Sequence, residues 1–398
     1  MDTPATMSCS SLAVLFTIAD LKSTGGGSRK LATDLCIALG TCGAKVILIS
    51  QVEAAPTVPS LIPDPKYVHT HLVKFSLASD HWGVAYAPSF KRKVADLCRQ
   101  EGIQIIHDNG LWLPSNHAAS RVARRQRIPL VIHPHGMLQP WALSYRAWKK
   151  RIAWLLYQRQ DLETASLFVA TSDQEAEAIR RMGLIQPIAL IPNGVHLPTW
   201  KAHNRTNREI RRALFLSRIH PIKGLINLVT AWDRVRPEGW RMIVAGRDET
   251  GHLEDVKRAV QNKGLQEDFE FVGSVEGEVK ERLYRDADLF ILPSFSENFS
   301  LVVAEALSYG VPVITTRGAP WEGLVKNRCG WWVEVGVQPL AEAIQAATSL
   351  SDAERHDMGW RGRSFVSEAF SFREIALEML AVYDWIRGVG AKPSCILE

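Results

Sequence analysis

Glu297 and Glu305 stand eight residues apart in Ser296-Glu297-Asn298-Phe299-Ser300-Leu301-Val302-Val303-Ala304-Glu305. Two carboxylates so placed can accept hydrogen bonds from two sets of hydroxyls, one on a sugar and one on a ribose. A helix that starts between them would add free N–H groups and a positive dipole end, which suit a phosphate. Opposite charges occur in Ser217-Arg218-Ile219-His220-Pro221-Ile222-Lys223-Gly224, where Arg218 and Lys223 are five apart. Two fixed cations suit a diphosphate, which gains negative charge as its bond to a sugar breaks.

The elements that must hold these groups are legible around them. Ala287–Pro293 reads as a buried strand, Ser300–Tyr309 as a helix that Gly310 ends, and residues 311–316 as the next strand. Glu297 then sits on a loop at the carboxyl end of a strand and Glu305 about one turn into the helix, the place where open α/β sheets bind ligands. Arg218 and Lys223 follow another strand, 212–217, of the same inferred sheet and lead into a helix over 224–235. That shared edge weakens the alternative of two merely solvated basic residues.

Other polar groups are weaker signals. Gly25, Gly26 and Gly27 form a turn between strand 11–19 and helix 29–39, without the spacing of a dinucleotide fingerprint. An anion-facing loop and a plain tight turn both remain open. His133-Pro134-His135-Gly136 ends a strand, but no carboxylate or thiol nearby completes a metal site, so a hydrogen-bonding His135 is favoured, with Gly136 permitting close approach. Asp286 and Asp288 precede an apolar strand, the wrong end for a cleft-facing metal, and read as a helix end and a strand start.

The full series alternates strands and helices in two runs, which predicts an α/β protein of two doubly wound Rossmann-like domains facing a central cleft. The boundaries expected are an N-terminal domain over 1–198, a polar linker over 199–212, a second domain over 213–372, a helix over 373–390 returning to the first domain, and a disordered tail over 391–398. A chain of 398 residues suits two cores. A net charge of +5 is too weak to argue for nucleic acid. Six cysteines without a Cys-x-x-Cys pair suggest a reducing compartment and no structural zinc. Residues 11–19 are too short for a membrane span and read as a first buried strand. Residues 141–160 interleave basic and aromatic residues at helical spacing, which fits a membrane-interface helix or a core-packed one equally. Arg121, Arg124, Arg125 and Arg127 read as a solvated helix face.

Together these pieces resemble the retaining glycosyltransferase family 4, of the GT-B fold, from the first strand to near residue 387. The acid pair, Arg218 and Lys223, Ile191-Pro192-Asn193-Gly194-Val195 and His135 occur in the family's order. Pro134-His135-Gly136-Met137-Leu138, Pro140-Trp141 and Ala319-Pro320-Trp321 resemble the bacterial branch that builds exopolysaccharide and O-antigen chains. The resemblance implies that Arg218 and Lys223 hold the donor diphosphate, Glu305 the ribose and Glu297 the transferred sugar. It also implies backbone contacts from Asn298, Phe299, Ser300 and Leu301, Val275 against the base, His135 near the reactive carbon, and the 25–27 loop beside the phosphates and acceptor. Transfer would retain configuration without a metal ion or cofactor, the leaving phosphate helping to deprotonate the acceptor. Many family members have Glu-Gly-Phe-Gly where this chain has Glu297-Asn298-Phe299-Ser300, so a β-carbon narrows the approach at two positions.

The function expected is transfer of a hexose from a UDP-sugar, UDP-glucose first, to a lipid-linked saccharide by a cytoplasmic enzyme at the inner membrane face. The alternatives are a UDP-sugar epimerase of the same architecture and a non-catalytic nucleotide-sugar-binding protein.

Overall fold

The computed structural model describes residues 12–21, 27–53, 61–75, 89–199 and 209–398. The chain forms two compact units, Met1–Gly194 with Phe372–Glu398, and Val195–Ser371. The predicted turn residues Gly25 and Gly26 and most of the 199–212 linker fall outside the described residues.

The sheet of the first unit contains β1 (Ala13–Asp20), β2 (Lys45–Glu53), β3 (Val68–Phe75), β4 (Ile105–Asn109), β5 (Leu130–His133), β6 (Leu167–Ala170) and β7 (Ile188–Leu190). The second unit's sheet contains β8 (Arg211–Leu216), β9 (Trp240–Ala245), β10 (Phe269–Gly273), β11 (Leu289–Leu292), β12 (Val313–Thr316) and β13 (Gly330–Val333). A last strand, β14 (Ile396–Leu397), rejoins the first sheet. The orders are β14-β7-β6-β5-β4-β1-β2-β3 and β10-β9-β8-β11-β12-β13. Each sheet runs outward from its first strand and then reverses, between β1 and β4 and between β8 and β11. These reversals are the switch points of doubly wound sheets, where neighbouring loops part at the strands' carboxyl ends.

Strand composition explains why both faces are covered. In β1, Ala13 and Leu15 join one core with the helices Phe90–Gln100 and Pro114–Gln126. Val14, Phe16 and Ile18 join the opposite core with the helices Gly27–Thr41 and Phe372–Ile386. A period of two thus feeds two cores from one nearly continuous apolar run, as a parallel sheet requires. The second unit has one large core around β8–β12, with Trp232 and Trp321 at most 2% exposed.

Three expectations need correction. The C-terminal tail is ordered: β14 pairs antiparallel with β7, Leu190 N donates to Cys395 O at 2.8 Å, and Ile396 is buried, so apolar burial and edge pairing outweigh a terminal position. The alternation of strands and helices read from the sequence left out β3, which pairs in register with β2 throughout. Residues 141–160 are not one regular helix. They form Pro140–Ser144, Ala147–Ala153 and a π-helical turn Trp154–Gln158, interrupted at Arg146, whose φ is 51°.

Candidate donor site and a buried histidine cluster

In the second unit, the loops after β8 and β11 meet at the sheet's switch point. Phe295 N donates to Ile222 O at 2.8 Å, tying them together. Gly224 sits at φ 71°, and a β-carbon there would lie 2.1 Å from Pro293 O, so only glycine lets the Lys223 turn close against the β11 loop. The consequence is a nearly buried ion pair: Lys223 Nζ lies 2.5 Å from Glu297 Oε1, with side chains 9% and 10% exposed. Ser294 Oγ donates to the same carboxylate oxygen at 2.5 Å, and Glu297 N donates to Gly318 O at 2.7 Å. Glu297 is therefore fixed in both side chain and backbone.

Arg218 is held differently. It is half-exposed and pairs with Glu249 at 2.7 Å. Glu249 follows β9 on a loop that Asp248 pins by accepting from the N–H groups of Thr250, His252 and Leu253. Glu305 lies on the helix Leu301–Ser308, where Lys280 Nζ reaches Oε1 at 2.7 Å and Tyr284 Oη donates to Oε2 at 2.8 Å. Each predicted donor contact of either charge thus has a partner of opposite sign, and two of those partners, Glu249 and Lys280, were missed from sequence, as were the neutral donors Ser294 and Tyr284. Lys280 and Tyr284 are four apart on Gly277–Asp286, a spacing that marks one helix face.

The segment Asn298–Leu301 is split by role. Phe299 is buried among Trp321 and Phe370, and its carbonyl accepts from Trp321 Nε1 at 2.6 Å. Its side chain is core, so only its N–H remains for a ligand. Leu301 and Val275 are partly buried and pack on the same core. Ser300 precedes the helix with φ 71° and ψ 66°, the left-handed region, and its Oγ is buried without a hydrogen-bond partner among the described residues. The backbone here keeps a shape that glycine adopts freely although serine occupies it. Asp286 closes its helix and pairs with Arg212, and Asp288 accepts from Arg212 N at 2.8 Å, both structural roles.

In the first unit, the carboxyl ends of β1, β4 and β5 carry a polar cluster. His135 follows β5 at φ 50° and stacks on His133 with ring centroids 3.7 Å apart. Asn109 Oδ1 lies 3.0 Å from His135 Nε2. The Asn109 amide nitrogen faces the carbonyls of Thr17 and His107, so its oxygen is the atom turned to His135, and His135 Nε2 carries the proton. Glu175 holds the turn from beneath: its Oε1 accepts from Gly136 N at 2.5 Å and its Oε2 from Thr171. His133, His135, Asn193 and Gly194 line a cavity with Leu35 and Met379. Burial lowers His135 to about 4. Burial, then repulsion from His135, lowers His107 to about 3 and takes His133 well below the usual range. Asp108, which accepts from Thr17 and Asn116, is raised to about 7 chiefly by burial. Gly27 opens the helix Gly27–Thr41 and is exposed.

No group of three or more His, Cys, Asp or Glu among the described residues could hold a metal ion. No helix among them is long and apolar enough to cross a membrane.

Two Rossmann-like sheets, each with polar residues gathered at its switch point, define a doubly wound α/β class of two units. Residues 25–198 match the family Glycosyltransferase Family 4, and residues 198–365 match Glycosyl transferases group 1. The chain is a group 1 glycosyltransferase of family 4, with the GT-B fold. It is 26% identical over 390 residues to a D-inositol 3-phosphate glycosyltransferase of Xylanimonas cellulosilytica, covering 92% of this chain and 93% of that one. It is 23% identical over 272 residues to a GDP-mannose:cellobiosyl-diphosphopolyprenol alpha-mannosyltransferase of Xanthomonas oryzae, covering 66% of each. Among solved structures, sucrose-phosphate synthase of Thermosynechococcus elongatus superposes with a TM-score of 0.73 at 22% identity, covering 95% of this chain and 100% of that one. Anabaena Alr3699/HepE in complex with UDP-glucose does so with 0.67 at 18%, covering 93% and 100%.

Proposed function

We propose that this glycosyltransferase moves a hexose from a UDP-sugar, UDP-glucose first, to a lipid-linked saccharide in cell-surface polysaccharide synthesis. The observation that carries the donor part is the Lys223–Glu297 pair at the second unit's switch point, with Arg218 on the adjoining loop and Glu305 one turn into the following helix. Lys223 and Arg218 take the diphosphate, whose charge grows as the glycosidic bond breaks. Glu297, locked by Ser294 and Gly318, accepts from hydroxyls of the transferred sugar. Glu305 accepts from the ribose while Lys280 and Tyr284 keep its carboxylate aligned. Val275 faces the base. The N–H groups of Asn298 to Leu301 complete the phosphate and sugar contacts.

His135 is assigned to the sugar near its reactive carbon. It is neutral at physiological pH, and with its proton on Nε2 its Nδ1 is an acceptor. Transfer retains the anomeric configuration and needs no metal, the leaving phosphate assisting removal of the acceptor proton. The relatives favour the reading without deciding the sugar: one is named for GDP-mannose and a polyprenol-linked acceptor, and a structural neighbour was captured with UDP-glucose.

The test is thermal stabilisation against UDP- and GDP-sugars, followed by transfer from the best ligand to polyprenol-linked saccharides with and without EDTA. A ligand that binds only the folded state raises the unfolding temperature. UDP-glucose should give the largest rise and EDTA no loss of rate. Preference for a GDP-sugar overturns the donor assignment, and EDTA inhibition overturns the metal-free mechanism.

A further inference from the structure

The segment 141–156 exposes what a folded chain normally hides. Trp141 is 51% exposed, Tyr145 62%, Trp148 58%, Ile152 50%, Leu155 83% and Leu156 75%. Four of these recur at intervals of four, three and one along the unbroken helical run from Ala147 to Glu163. The opposite side of that run is the packed one, with Ala153, Gln158, Asp161 and Leu162 buried. A core-packed helix with only its basic residues in water is therefore not what the sequence builds.

The charges around this face have one sign. Residues 109 to 160 contain nine Lys or Arg and no Asp or Glu. Arg146 and Lys149 lie over the Tyr145 and Trp148 rings at 5.2 and 5.5 Å. The neighbouring helix Pro114–Gln126 is joined to the run through Asp161, which accepts from Arg124 at 3.0 Å and faces His117 at 2.8 Å. That helix adds exposed Arg121 and Arg125, and Lys91 titrates low through desolvation and then repulsion from both.

We infer that residues 141–156, flanked by this basic field, form a surface that docks on an anionic phospholipid bilayer. Aromatic rings with polar edges settle at the headgroup level, leucines reach the acyl boundary, and lysines and arginines meet lipid phosphates. Two adjacent leucines exposed to this degree have nothing to offer nucleic acid. The inference deepens the lipid-linked acceptor reading and rests on it only for its biological sense, because docking is measured without donor or acceptor.

The experiment is co-sedimentation of the full chain with vesicles of phosphatidylcholine alone or with about a third phosphatidylglycerol. Binding is expected only to the anionic vesicles, weakened at least tenfold by L155S/L156S and by K149E/R151E, and reduced by high salt. Both variants should keep the unfolding temperature and the stabilisation by nucleotide sugar, which separates lost docking from lost folding or a wrong donor. Equal binding of the variants, equal binding to neutral vesicles, or none to either overturns the inference. So does a dimer in sedimentation velocity that L155S/L156S disperses, because a second copy would then cover the face.

Discussion

Lys223 Nζ and Glu297 Oε1 lie 2.5 Å apart, and the pair is about nine-tenths buried. Removing one partner would strand the other charge, at a cost of about 3–5 kcal/mol, so a single alanine variant confounds folding with function. The variant K223M/E297Q removes both charges together and keeps the volumes. It should fold, lose the stabilisation given by UDP-sugar, and lower kcat/KM at least about 100-fold, the scale of losing a preorganised charge contact. Undiminished transfer by this variant would sink the donor-site assignment.

Arg218 and Glu249 make the contrasting pair, exposed enough that it stabilises the fold by only about 0–1 kcal/mol. If Arg218 turns from Glu249 to a diphosphate on binding, E249A removes its competitor. Donor affinity should rise a few-fold with no change in unfolding temperature, read by titration calorimetry with UDP. A tenfold loss would mean that Glu249 orients Arg218 for the ligand.

Ser300 occupies a left-handed backbone at φ 71°. That conformation costs an L-residue roughly 1–2 kcal/mol, and the buried Oγ finds no partner among the described residues to offset it. S300G should therefore stabilise the second unit by about 1 kcal/mol and raise its unfolding temperature by about 2–4 °C. It also removes the β-carbon that narrows the sugar approach, so donor selectivity should relax. A destabilised S300G would show that the serine makes a contact worth more than the strain.

The first unit should lose stability in acid. His107, His133 and His135 are depressed below their ordinary value of 6.5, so below that pH the unfolded chain takes up protons that the folded one refuses. Asp108 acts the other way: raised from 3.8 to about 7, it holds a proton only in the folded state between those values, and that contribution is lost as pH rises through about 7. Near pH 5 the three histidines outweigh Asp108, so the balance of proton uptake favours unfolding. Unfolding temperature should fall steeply from pH 6.5 to 5. A flat profile over that window would exclude the neutral, buried histidine cluster.

Much of this was legible because the chemistry sits where strands end. The Glu297–Glu305 spacing, the Arg218 loop and the His135 turn each follow an apolar run that reads as a strand without ambiguity. Their partners were not legible, for a physical reason. Glu249 and Lys280 reach the site from other crossovers of the sheet, and only the strand order brings those loops together. Asn109 belongs to β4, and its partner His135 follows β5 26 residues later. Phe299 was read as a backbone contact only, and its side chain, on which that reading is silent, obeys the simpler rule that a large ring in an apolar neighbourhood is buried.

The first unit is discontinuous: Phe372–Glu398 belongs to it, after an excursion through the whole second unit. Ile375, Met379, Val382 and Tyr383 fill one of its cores, and Tyr383 Oη lies 2.5 Å from His107 Nδ1. During synthesis most of the first unit precedes the second but lacks these side chains until residues 372–398 are made. The second unit, encoded without interruption, can complete its fold while the first still waits. A chain cut after residue 371 would thus contain the whole second unit and a first unit with one core open.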